Sequence, residues 1–411
     1  MIGAGLAGLV AAVRLAEGGA DVTVVGKGAG SLHLSPATID VLGYAPERVA
    51  SPRDALPAFV AARPGHPYAH LAEGLEDALA WFRERTPGMR YEGGTEANML
   101  LPTAIGVARP TALAPASIAA GDLRVGRRLL IVGLRALKDF FPALLADNLS
   151  RAELPGGAAE VRHAEIAVSP RPGYADVAGQ VFARALDRAP FRRHLGEALR
   201  GLAEPGEAIA LPAVLGMTRA QEAHDELQER AGAPLVEIPT VPPSVPGMRL
   251  GIELTAALSQ AGGRLVLGPD AVGHEGTGGR LTAVLVRQAA RTHALPADAV
   301  VLATGGFAAG GLDLDSYGAL HERVFDLPTS GPPEGERGLS SRHLDHQPLM
   351  AAGVAVDAAG HPVGPDGSPV WTNLWAAGSI VAGAQPWREK SGEGIAIAGG
   401  HRAASAILEE T

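Results

Sequence analysis

Gly3, Gly5 and Gly8 stand at the spacing of a GxGxxG turn, in Met1-Ile2-Gly3-Ala4-Gly5-Leu6-Ala7-Gly8, with an apolar helical pattern directly behind it. Each glycine has its own task in such a turn. Gly3 permits the bend, Gly5 lets backbone N–H groups close on a phosphate, and Gly8 lets helix and sheet pack tightly. The free N–H groups of the first helical turn, with the helix dipole, then hold the anion. The run Val22-Thr23-Val24-Val25 follows and ends in Gly26-Lys27, where a dinucleotide-binding strand usually ends in Asp or Glu. Lys27 suits a terminal phosphate as a charge-assisted donor. Two further glycine turns lie late in the chain. Val300-Val301-Leu302 leads into Ala303-Thr304-Gly305-Gly306; Asn373 to Gly378 is followed by Ser391-Gly392-Glu393-Gly394 and a small-residue helix. A strand meeting a glycine turn and a helix N-terminus is again a place for a polar or anionic edge. Gly305, Gly378, Gly392 and Gly394 therefore join Gly3, Gly5, Gly8 and Lys27 as cofactor-binding candidates.

Other chemistries are closed off by composition. The chain has no cysteine, which removes disulfides, thiol catalysis and cysteine-ligated clusters. His343 and His346 are three apart, but no further ligand set accompanies them, so no metal site is expected. A net charge of −9 gives no footing for nucleic acid. No apolar run approaches the roughly 18–20 residues of a membrane span, and no signal peptide is visible. The protein is expected in the cytoplasm, meeting the inner face of the cell membrane only through a partner.

The elements that must position these residues fall into three zones. Residues 1–43 read as a βαβ-like start. Residues 44–249 are rich in Pro and Gly, with helices expected over 71–85, 135–149, 176–188 and 217–231. Residues 250–411 return to alternating helix and strand, beginning with a helix over 251–261. Pro242-Pro243 with Pro246-Gly247 reads as a rigid crossing between zones, and Lys138-Asp139-Phe140 as the early part of an amphipathic helix. Met1-Ile2 offers two residues of a first strand, where a strand usually needs about five. The expectation is that the native start lies upstream and Met1 is an internal strand residue, which the intact mass of the native protein checks.

In order and spacing, the three glycine turns resemble those of two-domain flavoproteins. That resemblance implies an α/β fold: a Rossmann-like flavin-binding domain built from both chain ends, 1–43 and 250–411, with residues 44–249 inserted as an α+β cap. The middle of the chain sharpens it. His66-Pro67-Tyr68, residues 101–111 (LPTAIGVARPT), residues 130–133 (LIVG) with Asp139-Phe140, and residues 237–250 (EIPTVPPSVPGMRL) occur in that order. Ser31-Leu32-His33-Leu34-Ser35 and Ile39-Asp40-Val41-Leu42 precede them. Over nearly its whole length the chain resembles the B subunits of bacterial anaerobic glycerol-3-phosphate dehydrogenase.

The resemblance implies oxidation of sn-glycerol 3-phosphate to dihydroxyacetone phosphate with electrons passing to quinone. It also implies FMN in this chain and two partners: a catalytic FAD-carrying subunit, and an iron–sulfur subunit associated with the membrane. Gly26 agrees with FMN, which lacks the ribose that a strand-end acid would bind; FAD is the alternative. Oxidising a secondary alcohol needs a base for the hydroxyl proton, and a histidine of near-neutral pKa suits the task. His346, on the route into the C-terminal glycine turn, is the first candidate for that base; His33, just after the second strand, is placed to bond the flavin ring or ribityl chain, by a hydrogen bond in preference to a covalent link. Arg109, Arg249, Arg342 and Arg388 are candidates for a substrate phosphate, because arginine offers a bidentate fork. Two roles stay open: dehydrogenation by this chain, or electron relay and scaffolding beside the catalytic FAD partner. An independent FAD oxidoreductase of the succinate dehydrogenase or fumarate reductase type is a further reading.

Overall fold

The computed structural model describes residues 1–126, 128–331, 338–343 and 345–410. Its central feature is a parallel sheet assembled from distant parts of the chain. The strands are β1 (Thr23–Gly26), β2 (Arg264–Leu267), β3 (Val300–Leu302) and β4 (Leu374–Ala376). β1 pairs in parallel with β2, and β3 with β4. Ile2 joins the two halves by bridging Val25 on one side and Leu302 on the other. Its N–H donates to the Val301 carbonyl at 2.9 Å, and its carbonyl accepts from Ala303 N at 2.8 Å. The first strand thus contributes one residue of ladder yet lies at the sheet's centre.

Side chains alternate across this sheet as strand geometry requires. Val24, Val301 and Trp375 enter one core, while Ile2, Val25, Val300 and Leu302 enter another on the opposite face. The first face carries the helices α1 (Leu6–Glu17), α2 (Leu75–Arg85), α3 (Val245–Gln260) and α4 (Gly392–Glu410). α1 and α4 cross so closely that a Cβ on Gly400 would overlap the Ala7 carbonyl. The opposite face packs on a three-stranded antiparallel sheet, Asp270–Thr277, Arg280–Gln288 and Arg291–Pro296. A sheet buried on both faces is what the near-continuous apolar run at 297–303 predicts.

The segment 44–249 differs from the expected cap in two ways. It contains a four-stranded sheet, Glu160–Ile166, Arg128–Leu134, Glu207–Pro212 and Leu235–Ile238 in spatial order, and every pairing is parallel. This part is therefore α/β in character, with its own core around Leu129, Ile131, Ile209 and Leu235. The early part of the segment does not belong to that core. Tyr68, Leu75, Phe82 and Leu113 pack with α1 and α4 instead. The expected single insert thus serves two cores.

α3 begins at Val245, six residues before the expected start at Gly251. Ser244 Oγ caps it by accepting from Gly247 N at 3.2 Å, and Pro246 occupies the first turn, where its missing N–H costs nothing. Of the prolines read as a crossing, Pro246 thus belongs to the helix start, while Pro242-Pro243 precede its cap. By the same rule the helix expected over 135–149 starts only at Pro142, leaving Lys138-Asp139-Phe140 outside it. Gly247 presses on the 3₁₀ turn Gly30–Leu34, where a Cβ would overlap the Leu32 carbonyl. Two residues on from Gly247, Arg249 forks onto Glu237 at 2.7 and 2.9 Å, and both are buried. Glu237 also accepts from Ser117 Oγ at 2.7 Å and Leu215 N at 2.8 Å.

Burial pushes the Glu237 carboxyl up, but Arg249 and the hydrogen bonds outweigh it and hold the group below the usual carboxylate range. A depressed folded pKa stabilises above the unfolded pKa, and that contribution is lost as pH falls through the folded value. Glu237→Gln strands the Arg249 charge and should destabilise the fold by about 3–5 kcal/mol in urea unfolding at neutral pH. The difference between variant and native should shrink as the solution is made acidic.

Candidate functional site

A cavity of about 630 Å³ opens at the C-terminal ends of the sheet's strands and touches all three glycine turns. Its size lies within the roughly 300–1,000 Å³ usual for small-molecule and cofactor sites. At the ends of β1, β3 and β4 the wall is built largely of Gly and Ala (Gly26, Ala303, Gly305, Ala377 and Gly378), which leave the space unfilled. Of the cofactor-binding candidates, Gly3, Gly5, Lys27, Gly305, Gly378 and Gly392 line it, and so does Gly26. Gly8 and Gly394 are not on its wall.

The first turn is built by contact. Gly3 has φ +104°, and a Cβ there would overlap the Ala303 carbonyl at the end of β3. Gly8 lies under the turn, where a Cβ would overlap the Gly3 carbonyl. Gly5 has open space in the Cβ direction. α1 has no side-chain N-cap and no acid in its first turn, so its donors and positive dipole end face the cavity uncompensated. Thr304 Oγ1, also at the wall, is buried without a hydrogen-bond partner. Free backbone donors, open space at Gly5 and an unpaired hydroxyl form a cradle that could receive an anion.

The cavity continues past β1 to Gly28, Pro269, Asp270 and Ala271. The missing acid at position 26 has a packing cause: a Cβ there would sit 2.8 Å from the Ala4 Cβ and 3.1 Å from the Gly28 carbonyl oxygen. Lys27 is 70% exposed and places its Nζ 3.6 Å from Asp270 Oδ2, which Arg287 also approaches at 3.3 Å. The lysine's charge is thus directed at a carboxylate from the neighbouring chain segment.

At the other end of the cavity, Glu393 in the first turn of α4 lines the wall with Ser379, Pro386 and Gly392. This end is held by motif residues. Tyr68 OH donates to the Val41 carbonyl at 2.7 Å, and His66 Nε2 meets Glu389 Oε2 at 3.2 Å. Glu389 also takes Ser391 Oγ at 3.0 Å and Gln385 N at 3.1 Å. Gly394 packs on Tyr68, whose hydroxyl a Cβ would overlap, so packing alone requires a glycine there. Asp40 is buried; it accepts Arg109 Nε at 2.9 Å, Arg109 Nη2, and Thr111 Oγ1 at 3.0 Å. Burial and the neighbouring Asp40 charge raise Glu393 to about 7, against a lowering pull from Arg109. Burial, then the Arg109 charge, depresses Lys390.

The histidine candidates lie off the cavity wall. His346 is exposed, with Nε2 2.6 Å from Gln385 Nε2. His33 is half-buried, its ring toward Gly251 of α3 and its carbonyl accepting from Ser244 N at 2.8 Å. Of the arginines, Arg249 and Arg109 are engaged in the ion pairs described, Arg388 stands over the Trp387 ring at 5.6 Å, and Arg342 is on the exposed surface. Sequence reasoning passed over Glu393, Thr304, Asp270 and Arg323, all on the wall. Only Glu393 carried a signal, as the single charge in a glycine-rich helix start. Among the described residues no three His, Asp or Glu side chains are grouped to hold a metal. Among them, too, no helix is long and apolar enough to cross a membrane.

Residues 1–395 match the model of a family described as "FAD binding domain". The chain is 34% identical over 421 residues to the probable anaerobic glycerol-3-phosphate dehydrogenase B subunit of Halobacterium salinarum, covering 100% of this chain and 97% of that one. It is 30% identical over 425 residues to the anaerobic glycerol-3-phosphate dehydrogenase B subunit of Vibrio cholerae, covering 99% and 95%. Among solved structures, the 3-ketosteroid Δ1-dehydrogenase of Sterolibacterium denitrificans aligns over 100% of this chain and 99% of its own, at 12% identity with a TM-score of 0.41.

Two alanine substitutions separate construction of the cradle from use of it. Gly3→Ala should cost about 1–3 kcal/mol or more through backbone overlap at positive φ, lowering the melting temperature. Gly5→Ala, with open space around its Cβ, should melt close to the native protein.

Proposed function

The chain belongs to the family of anaerobic glycerol-3-phosphate dehydrogenase B subunits, and from that membership we propose that it is the flavin-carrying member of a quinone-linked complex that oxidises sn-glycerol 3-phosphate to dihydroxyacetone phosphate. Of the two roles we take dehydrogenation by this chain; its partners on this reading are an FAD-carrying subunit that shares the catalysis and an iron–sulfur subunit that brings the complex to the inner face of the membrane. The observation that carries the proposal is the single cavity joining three glycine turns at the ends of adjacent parallel strands. Open sheets of this kind take nucleotide cofactors in that crevice.

The residues present fit a flavin. The uncapped first turn of α1 would hold its phosphate, with Gly5 giving the close approach and the unpartnered Thr304 hydroxyl a further contact. Gly305, Gly378 and Gly392 put no side chain on the wall where a ring system would lie. A bound flavin supplies a two-electron acceptor for the carbinol hydrogen of the substrate. The protein's own part is to bind and orient both molecules, exclude water and take up the hydroxyl proton.

Which flavin is bound turns on the far lobe of the cavity. FMN is what the family resemblance implies, and its support within this chain is the absent acid at Gly26, an absence that has a steric cause. The extension of the cavity to Pro269, Asp270 and Ala271, with a carboxylate on its wall, favours FAD. Asp270 then stands where a ribose hydroxyl donor would find an acceptor.

The native protein should carry a visible flavin spectrum, and acid-released flavin should run as FAD on chromatography. Recovery of FMN alone would restore the Gly26 argument, and a colourless protein would sink the flavin role. Gly5→Val should fold but lose most of its flavin. Co-purification from the native source should bring down the two partner subunits together with glycerol 3-phosphate oxidation.

A further inference from the structure

We propose that Glu393 is the proton-accepting residue of the cavity, the group that removes the hydroxyl proton from a substrate alcohol. This rests on the flavin dehydrogenase reading and extends it to a named residue. The argument begins with what else is available. No histidine or tyrosine lines the cavity among the described residues. Asp270, the other carboxylate on the wall, is approached by Lys27 and Arg287. Arg323 bonds Asp313 at 3.0 Å and the Gly310 carbonyl at 3.0 Å. Lys27 is drawn to Asp270. Among the described residues, Glu393 alone of the charged groups lines the cavity without a side-chain partner.

Its surroundings explain why it can work as a base. Asp40 lies beside it, and Arg109 with Thr111 spends its hydrogen bonds on Asp40. The Arg109 charge is thereby largely cancelled, and Glu393 is left next to a carboxylate with no cation of its own. Backbone N–H groups of Glu393 and Asp40 are the donors that reach its carboxyl. Also facing this cluster are Lys390 from the turn before α4, whose Nζ donates to the Trp387 carbonyl at 2.8 Å, the Glu389 carboxylate, and the hydroxyls of Tyr44, Tyr68 and Tyr91. Burial and the Glu393 charge hold Tyr68 and Tyr91 well above their ordinary value, so they stay neutral. The carboxyl therefore changes charge near pH 7, the range in which a general base both holds and releases a proton readily.

The step balances. The secondary alcohol gives its carbinol hydrogen with both bonding electrons to the flavin and its hydroxyl proton to Glu393, leaving the ketone. Because the base must be ionised, the reaction accelerates as pH rises through the Glu393 midpoint.

The test uses the flavin-loaded protein. Absorbance of the bound flavin is titrated from pH 5.5 to 8.5, and anaerobic bleaching by glycerol 3-phosphate is followed by stopped flow. The native protein should show one spectral transition with a midpoint near 7, and bleaching should speed up through the same midpoint. Glu393→Gln should retain flavin, lose the transition and bleach about 10²–10⁴-fold more slowly. Asp40→Asn removes the charge that raises Glu393 and should move the midpoint to lower pH. A transition that survives in Glu393→Gln, or fails to move in Asp40→Asn, overturns the assignment. So does bound flavin that glycerol 3-phosphate cannot bleach. Native protein without flavin would instead overturn the flavin reading on which the assignment rests.

Discussion

The close approach of Gly3 to the end of β3 is the constraint on which the rest depends. Ile2 pairs with Val25 and Leu302 at once, so the chain must leave the sheet at Gly3 with no room for a side chain against Ala303. That exit aims α1 so that its unpaired N–H groups meet the cavity. It also sets the distance to Gly8 beneath the turn and to Gly378 opposite, where a Cβ would stand 2.9 Å from the Ala7 Cβ. A side chain at any of these contacts would move the helix or fill the site.

Two buried ion pairs hold the surrounding walls, with different consequences. Arg249–Glu237 ties α3 to the Leu235–Ile238 strand and so positions the turn that carries Leu32 and Ser35 at the cavity. Both partners are satisfied, and the pair is structural. Arg109–Asp40 lies at the cavity's other end and leaves Glu393 uncompensated beside it. Buried pairs of this kind add little net stability when complete, but removing one partner is costly. Their value here lies in fixing geometry and, for the second pair, in tuning a neighbour.

The glycine turns, the apolar strands and the helices behind them were legible because local periodicity and steric demand leave marks in the sequence. The family blocks were legible as well, but their purposes were not. Pro242 to Gly247 reads as a crossing until Ser244 is seen capping α3. His66 and Tyr68 read as a bare motif until they are found clamping the segment before α4, more than three hundred residues away in sequence. His33 and His346 have the right chemistry for a base, yet no pattern along the chain reports which way a loop side chain faces.

By itself the sequence determined that a GxGxxG turn opens an α/β sheet, that two later glycine turns share that sheet, and that cysteine chemistry is absent. These follow from residue type and spacing, which act locally. Only the tertiary structure decided that the three turns share one cavity, that Gly26 is small because Ala4 stands against it, and that a glutamate rather than a histidine meets the cavity without a partner. Those outcomes depend on which distant side chains share a low-dielectric space, and spacing along a chain does not record them.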